Sequence, residues 1–73
     1  MAKHNKHVVP NSNGGWDVKS GGSKISHHQT QKSAINLAKS IAKSDRTEVV
    51  THGRDGKIRA KDSYGNDPFP PKG

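Results

Sequence analysis

The sequence predicts an α+β fold, a small β-β-α-β-β domain in which an antiparallel sheet of four strands carries one helix across one face. Two observations predict it. Residues 30–45 alone show sustained helical periodicity, and paired runs of β-branched residues, each pair joined by a glycine-containing turn, flank them. The 73 residues allow one small domain, and without cysteine no disulfide stabilises it. We expect a flexible N-terminus at 1–6, one domain at 7–64 and a proline-containing C-terminal tail at 65–73.

The central segment, residues 30–45, is predicted to be an amphipathic helix. Thr30 is the expected N-cap, because its hydroxyl can accept a hydrogen bond from a free N–H group of the first turn. No glycine or proline interrupts the segment. Its apolar side is formed by Ala34, Leu37, Ala38 and Ile41, with Ile35 and Ala42 at the edge. Since an isolated helix of about four turns is marginal in water, this side must pack against the strands.

Before the helix, the sequence predicts a β-hairpin. Residues 7–10 form the first strand, the turn-forming residues 11–15 follow, and residues 16–19 form the second strand. Residues 20–23 are predicted to be a flexible loop, and residues 24–26 a brief third extension.

Within the second strand, Trp16 and Val18 alternate with Asp17 and Lys19. One face of the hairpin is therefore apolar and the other is charged. We expect the indole of Trp16 to pack against the helix, and the alternative is an aromatic ring on which a nucleic-acid base stacks.

After the helix, the sequence predicts a second hairpin. Residues 47–52 and 57–61 form its strands, and residues 53–56 form its turn. The turn is predicted to be of type I, with Gly56 in the left-handed conformation that adapts it to the strand twist.

The C-terminal segment, residues 62–73, contains prolines that exclude both a helix and an inner strand. Two interpretations remain. The tail is either a strap whose aromatic rings cover an edge of its own core, or a polyproline ligand for the groove of another protein. The residues that would make such a protein interaction are Tyr64, Pro68, Phe69, Pro70 and Pro71.

The chain is strongly basic, with a formal net charge of +7 and a pI near 10.1. Such a charge attracts polyanions, with nucleic acid as the first candidate. No apolar run approaches the roughly 20 residues that cross a bilayer, and the first residues lack the apolar centre of a signal peptide. We therefore expect a cytoplasmic location, no membrane partner and a monomer.

Basic side chains on the outward positions of the two hairpins are the predicted contacts to phosphate. A solvated sheet face, on which lysines protect an edge strand, explains the same pattern. The helix offers a competing stripe at Lys32, Lys39 and Lys43, which we interpret as a solvated helix surface. The predicted nucleic-acid-binding residues are Lys19, Arg54, Lys57, Arg59 and Lys61.

Histidines at four positions are spaced like metal ligands, namely His4, His7, His27 and His28. No carboxylate or thiolate occurs at a matching spacing, so we expect solvated loop histidines, with no metal and no cofactor. Removal of Met1 would create the sequence Ala2-Lys3-His4 at a free amine, a motif suited to Cu(II) or Ni(II), and we interpret it as coincidence.

His52, Arg54 and Asp55 bring together an imidazole, a guanidinium and a carboxylate, which are groups used in acid–base catalysis. Asp55 is, however, also a residue that the turn favours, and no nucleophile or metal cluster is near in sequence. We therefore do not expect an enzyme.

Three sequence stretches resemble a small family of uncharacterised bacterial and phage proteins, a domain of unknown function. They are GGWDVK at 14–19, HGRDGKI at 52–58 and DSYGNDPFPP at 62–71. The resemblance extends over nearly the whole chain from Val8 onward. It implies a β-β-α-β-β domain, and it implies no activity.

These observations favour a non-catalytic binding module that neutralises the phosphates of a nucleic acid. The alternative is a protein-interaction accessory factor that binds through a sheet edge or through the proline tail.

Overall fold

The structure is a computed structural model that describes residues 4–64. Its strands are β1 (Lys6–Pro10), β2 (Trp16–Ser20), β3 (Ser23–His28), β4 (Glu48–His52) and β5 (Ile58–Ser63), and its helix is α1 (Gln31–Asp45). The strands form one sheet in the order β3-β2-β1-β4-β5, and α1 packs on one face of it. The predicted α+β fold with one helix on a sheet face is confirmed.

The sheet differs from the prediction in two respects. It has five strands instead of four, because Ser23–His28 is a full edge strand and not a brief extension. It is also mixed instead of wholly antiparallel, since the central strands β1 and β4 are parallel. The helix explains the parallel pair. It carries the chain back along the sheet to the end at which the preceding strand began, so the next strand runs in the same direction as that strand.

Helix α1 has the predicted boundaries. Thr30 is the N-cap, and its side chain accepts a hydrogen bond from the Ser33 backbone N–H at 3.2 Å. At the other end, Arg46 adopts the left-handed conformation, with φ 58°, and its backbone N–H donates to the Ala42 carbonyl. Both ends are therefore capped by local hydrogen bonds.

The core lies between α1 and the sheet, and alanines form the helix side of it. Its fully or almost fully buried residues are Val8, Trp16, Val18, Ala34, Ala38, Ala42 and Val49. The prediction that Trp16 packs against the helix is confirmed. Leu37, predicted for the interior, is only partly buried at the core's edge, and Ile41 is half-buried. Small methyl groups at the centre of the contact let the helix approach the sheet closely.

The start of β1 is tied to the end of α1 by a buried lysine. Lys6, predicted to lie in the flexible N-terminus, is the first residue of β1 and is 3% exposed. Its Nζ lies 2.9 Å from Asp45 Oδ2 and donates to the His4 carbonyl oxygen at 2.7 Å. The ordered domain therefore includes this residue.

Both edge strands contain an irregularity. The pairing of β2 with β3 skips Ile25, and the pairing of β4 with β5 skips Arg59, so each is the extra residue of a β-bulge. The β4–β5 turn has the predicted left-handed Gly56, with φ 85°. Bulges and basic side chains are features that discourage an exposed edge from pairing with other chains.

Tyr64, at the end of the described chain, packs against the core, and its backbone N–H donates to the Thr47 carbonyl at 3.2 Å. The other predicted tail residues, Pro68, Phe69, Pro70 and Pro71, lie outside the described residues. Within residues 4–64, no helix has the length and apolar character needed to cross a bilayer.

Candidate nucleic-acid interface

The sheet has one face under α1 and a second face on which, within residues 4–64, no helix or strand packs. Val8 and Val18 are paired across β1 and β2 and belong to the core beneath the helix. Side chains alternate along a strand, so the neighbouring pair, His7 and Lys19, points to the second face.

A continuous row of paired residues crosses this second face from one edge of the sheet to the other. Lys24 of β3 pairs with Lys19 of β2, which pairs with His7 of β1. His7 pairs in turn with Val50 of β4, and Val50 pairs with Lys61 of β5. All three lysines are exposed. At about 4.8 Å between neighbouring strands, the row spans roughly 19 Å.

The carboxylate of Asp17 also lies on this face, where hydrogen bonds occupy both of its oxygens. It is 6% exposed, its Oδ1 lies 2.6 Å from His27 Nδ1, and its Oδ2 accepts a hydrogen bond from the Asn11 amide at 2.9 Å. The hydrogen bond from His27, with smaller contributions from Asn11 and Lys24, holds the pKa of Asp17 below its ordinary value, although burial opposes this shift. Asp17 therefore stays ionised but has partners for its charge.

Two histidines meet near the centre of the face. His7 Nδ1 lies 3.1 Å from His52 Nε2, and the ring centroids are 5.4 Å apart. His52 Nδ1 lies 3.1 Å from the Gly56 carbonyl oxygen. Burial, and then the charge of His52, lower the pKa of His7. We call this surface the basic face and define it by Lys19, Lys24, Lys61, His7, His27 and His52.

The structure divides the predicted nucleic-acid-binding residues into two groups. Lys19 and Lys61 lie on the basic face, whereas Arg54 and Arg59 turn away from it. The guanidinium of Arg54 lies over the Trp16 ring, 5.4 Å from its centroid.

Arg59 Nη1 donates to Gln31 Oε1, at the start of α1, at 3.2 Å. Arg59 is the extra residue of the β5 bulge, and a bulge redirects a side chain that simple alternation would place beside Lys61. Lys57 is exposed in the turn between β4 and β5. The predicted set therefore does not form one surface.

Sequence reasoning missed Lys24, His7, His27 and His52 as members of this surface. Lys24 was missed because β3 was interpreted as a brief extension, although alternation along a full strand would have placed it beside Lys19. His7 and His27 were considered only as metal ligands, and His52 only as a group for acid–base catalysis. The contact of His7 with His52 depends on the parallel pairing of β1 with β4, which no local pattern reveals.

The competing helix stripe makes contacts within the domain. Lys39 Nζ lies 4.0 Å from Asp62 Oδ2, and Lys43 Nζ lies 5.7 Å from the centroid of the Tyr64 ring. Lys32 is exposed. Two of the three lysines of the stripe are thus directed towards β5 and the residue that follows it.

The groups considered for catalysis have separate partners. His52 contacts Gly56 and His7, Asp55 Oδ1 accepts a hydrogen bond from the Lys57 backbone N–H at 3.1 Å, and Arg54 covers Trp16. Among the described residues, no group of three or more histidine, aspartate or glutamate side chains is arranged to hold a metal ion.

The fold and this surface together define a small α+β domain with a basic sheet face. Residues 6–64 match the family described as an uncharacterized protein conserved in bacteria (DUF2188), and the chain belongs to that family. The resemblance to an uncharacterised bacterial family is therefore confirmed. No curated protein and no solved structure matches the chain.

Proposed function

We propose that this domain is a non-catalytic binding module that binds nucleic acid through its basic face, as a monomer in the cytoplasm. The observation that carries the proposal is the row of exposed lysines, Lys24, Lys19 and Lys61, which reaches both edges of the sheet on the face away from the helix. The net charge of +7 supports it by giving the whole chain an attraction for polyanions.

The mechanism is neutralisation of phosphates. Lysine side chains are long, flexible and donate in several directions, so they suit a phosphate backbone better than the edge of one base. The ionised carboxylate of Asp17 on this face is almost fully buried, and hydrogen bonds from His27 and Asn11 occupy both of its oxygens. Binding is therefore expected to depend strongly on salt and weakly on sequence.

The contact set differs from the one predicted from sequence. Lys19 and Lys61 remain in it, and Lys24 joins them. Arg54 and Arg59 are left out, since their guanidinium groups contact Trp16 and Gln31 on the other side of the sheet.

The test compares two triple variants that remove the same charge. K19Q/K24Q/K61Q removes the lysines of the basic face, and K32Q/K39Q/K43Q removes those of the helix. Affinity for a short labelled DNA duplex and for a short RNA is measured by fluorescence anisotropy over a range of salt concentrations. Each phosphate contact contributes roughly 0.9 to the log–log salt slope on duplex DNA.

We expect the sheet variant to lower the slope by about 2 to 3 units and to weaken binding at least about tenfold. The helix variant should lose much less affinity. A wild-type affinity that does not change with salt, or an equal loss in both variants, would overturn the proposal.

A second candidate function is a protein-interaction module, and the exposed edge strands favour it. Ile25 on β3 is 45% exposed and Ile58 on β5 is 57% exposed, and each offers a partner an apolar contact at an edge of the sheet, although the bulges there discourage strand pairing. Deleting residues 67–73 tests whether the tail is a ligand for another protein or a strap across its own domain. Loss of a protein partner without unfolding supports a tail ligand, whereas unfolding of the domain supports the strap.

A further inference from the structure

The His7–His52 pair has a defined arrangement of protons when both rings are neutral. A carbonyl oxygen only accepts hydrogen bonds, so the contact with Gly56 O requires that His52 carries its hydrogen on Nδ1. Nε2 of neutral His52 is then an acceptor, and His7 must donate to it from Nδ1. Nε2 of His7 is left without a proton.

The two rings therefore differ in how they accept a further proton. A proton added to His7 Nε2 leaves the hydrogen bond to His52 in place and gives it a charged donor. A proton added to His52 Nε2 instead places two N–H groups opposite each other at a site where the nitrogens are 3.1 Å apart. The pair accepts a first proton without rearrangement, and a second only by breaking its hydrogen bond.

The surrounding charges disfavour that first proton in the free protein. On one side, His7 pairs with Lys19 of β2. On the other side it pairs with Val50 of β4, and Val50 pairs in turn with Lys61 of β5. Lys24 of β3 lies next in the same row. Burial acts in the same direction. The pKa of His7 is lowered, first by burial and then by the charge that His52 carries when it is itself protonated.

Among residues 4–64, few acidic groups oppose this effect. Glu48 of β4 is two residues from Val50, on the same face, at the end of the strand away from His52. Asp17 of β2 contacts His27, and Asp55 of the turn accepts from the Lys57 backbone N–H. The environment of His7 is therefore mainly cationic and disfavours the imidazolium form, whereas a bound phosphate would favour that form.

We propose that the His7–His52 pair makes nucleic-acid binding by the basic face proton-linked, so that the face binds a phosphate backbone more tightly as the pH falls. This inference rests on the proposed function. An anion near His7 favours the imidazolium form, and thermodynamic reciprocity requires that protonation favours the anion equally. The first proton enters at His7 Nε2, and the charge it adds lies between Lys19 and Lys61.

The test measures affinity for the same labelled DNA duplex at constant ionic strength between about pH 8 and about pH 5.5, where imidazole titrates. We expect the affinity of the wild type to increase about tenfold, which corresponds to uptake of roughly one proton across one pH unit. In H7Q/H52Q the increase should fall to about twofold or less. His28 is the matched control, because its ring contacts Ser26 and Ser33 on the helix side of the sheet. H28Q should keep the full increase.

The outcomes separate the two proposals. Salt-dependent binding with equal affinity at both pH values, or a pH dependence that H27Q abolishes and H7Q/H52Q retains, overturns the proton linkage alone. Absence of binding at any pH overturns the proposed function and the linkage with it.

Ring nitrogen NMR shifts give a second readout. A neutral His7 that carries its hydrogen on Nε2 contradicts the arrangement of protons. A titration midpoint of His7 that rises when DNA is added supports the linkage.

Discussion

Arg54 extends from the β4–β5 turn and lies over the indole of Trp16, with Cζ 5.4 Å from the ring centroid. Trp16 is the largest side chain of the core and is 4% exposed. The turn thus helps to cover the end of the core that lies near the start of α1. A residue that the sequence suggested as a phosphate contact has a structural role here.

Replacing Arg54 should therefore destabilise the domain. We expect R54A to lower the free energy of unfolding by about 1 kcal/mol, through loss of the cation–π contact and of the arginine stem. Trp16 fluorescence of the folded variant should move to longer wavelength as water reaches the ring. Urea denaturation followed by fluorescence measures both effects, with K57A from the same turn as the control. Equal stability of R54A and K57A would contradict the structural role.

Gly15 is predicted to tolerate no side chain. Its φ is +76°, and a Cβ at this position would lie 2.5 Å from the backbone oxygen of His28. Gly56 is the matched control, because its φ is +85° and a Cβ there has nothing within 4 Å. Backbone strain should cost G56A about 1 kcal/mol, and the added collision should cost G15A at least about 2 kcal/mol more. Thermal or urea unfolding of both variants tests this, and equal losses would exclude a close contact between Gly15 and β3.

Lys6 should be required for stability because its amine is buried. K6M keeps most of the apolar stem but removes the buried ammonium that contacts Asp45 and donates to the His4 carbonyl. We expect a loss of about 2 kcal/mol, below the range for a fully buried pair because Asp45 is 22% exposed. K19M, on the neighbouring strand, should change stability by less than about 0.5 kcal/mol. If K6M unfolds at the same urea concentration as K19M, the buried pair contributes nothing.

Asp17 should make the domain sensitive to acid. Its pKa in the folded state lies below the ordinary 3.8, first because of the hydrogen bond from His27. The unfolded chain therefore takes up this proton at a higher pH than the folded protein does. The resulting stabilisation is present above about pH 4 and is lost as the pH falls through the folded-state pKa.

The variant D17N removes this group. It should be about 1 to 2 kcal/mol less stable than the wild type near pH 5, and the difference should shrink towards pH 3. Chemical denaturation at a series of pH values measures it. A difference that stays constant over this range would show that the charge of Asp17 is not what stabilises the fold.

Much of the secondary structure follows from local sequence. The N-cap at Thr30, the end of the helix near Asp45 and the left-handed Gly56 were all predictable, because each depends on residues within one turn of chain. The burial of Trp16 and Val18 was equally predictable, because side chains alternate along any strand that has one buried face. The family resemblance was also visible from the sequence alone.

Which residues belong to the candidate site could not be predicted in the same way. Lys19 and Lys61 were found from alternation, but Arg59 was misplaced because a bulge in β5 shifts the alternation at that point. Arg54 was misplaced because nothing local indicates that its side chain reaches back to Trp16, 38 positions earlier in the sequence.

The sequence by itself determined the helix, the hairpins, the apolar side of each and the strong positive charge, because these depend on neighbouring residues and on composition. Only the tertiary structure decided that β1 and β4 are parallel neighbours, which places His7 against His52 and aligns Lys24, Lys19 and Lys61 in one row. Strand order and register result from packing between segments distant in sequence, so the surface they create has no signature in any single segment.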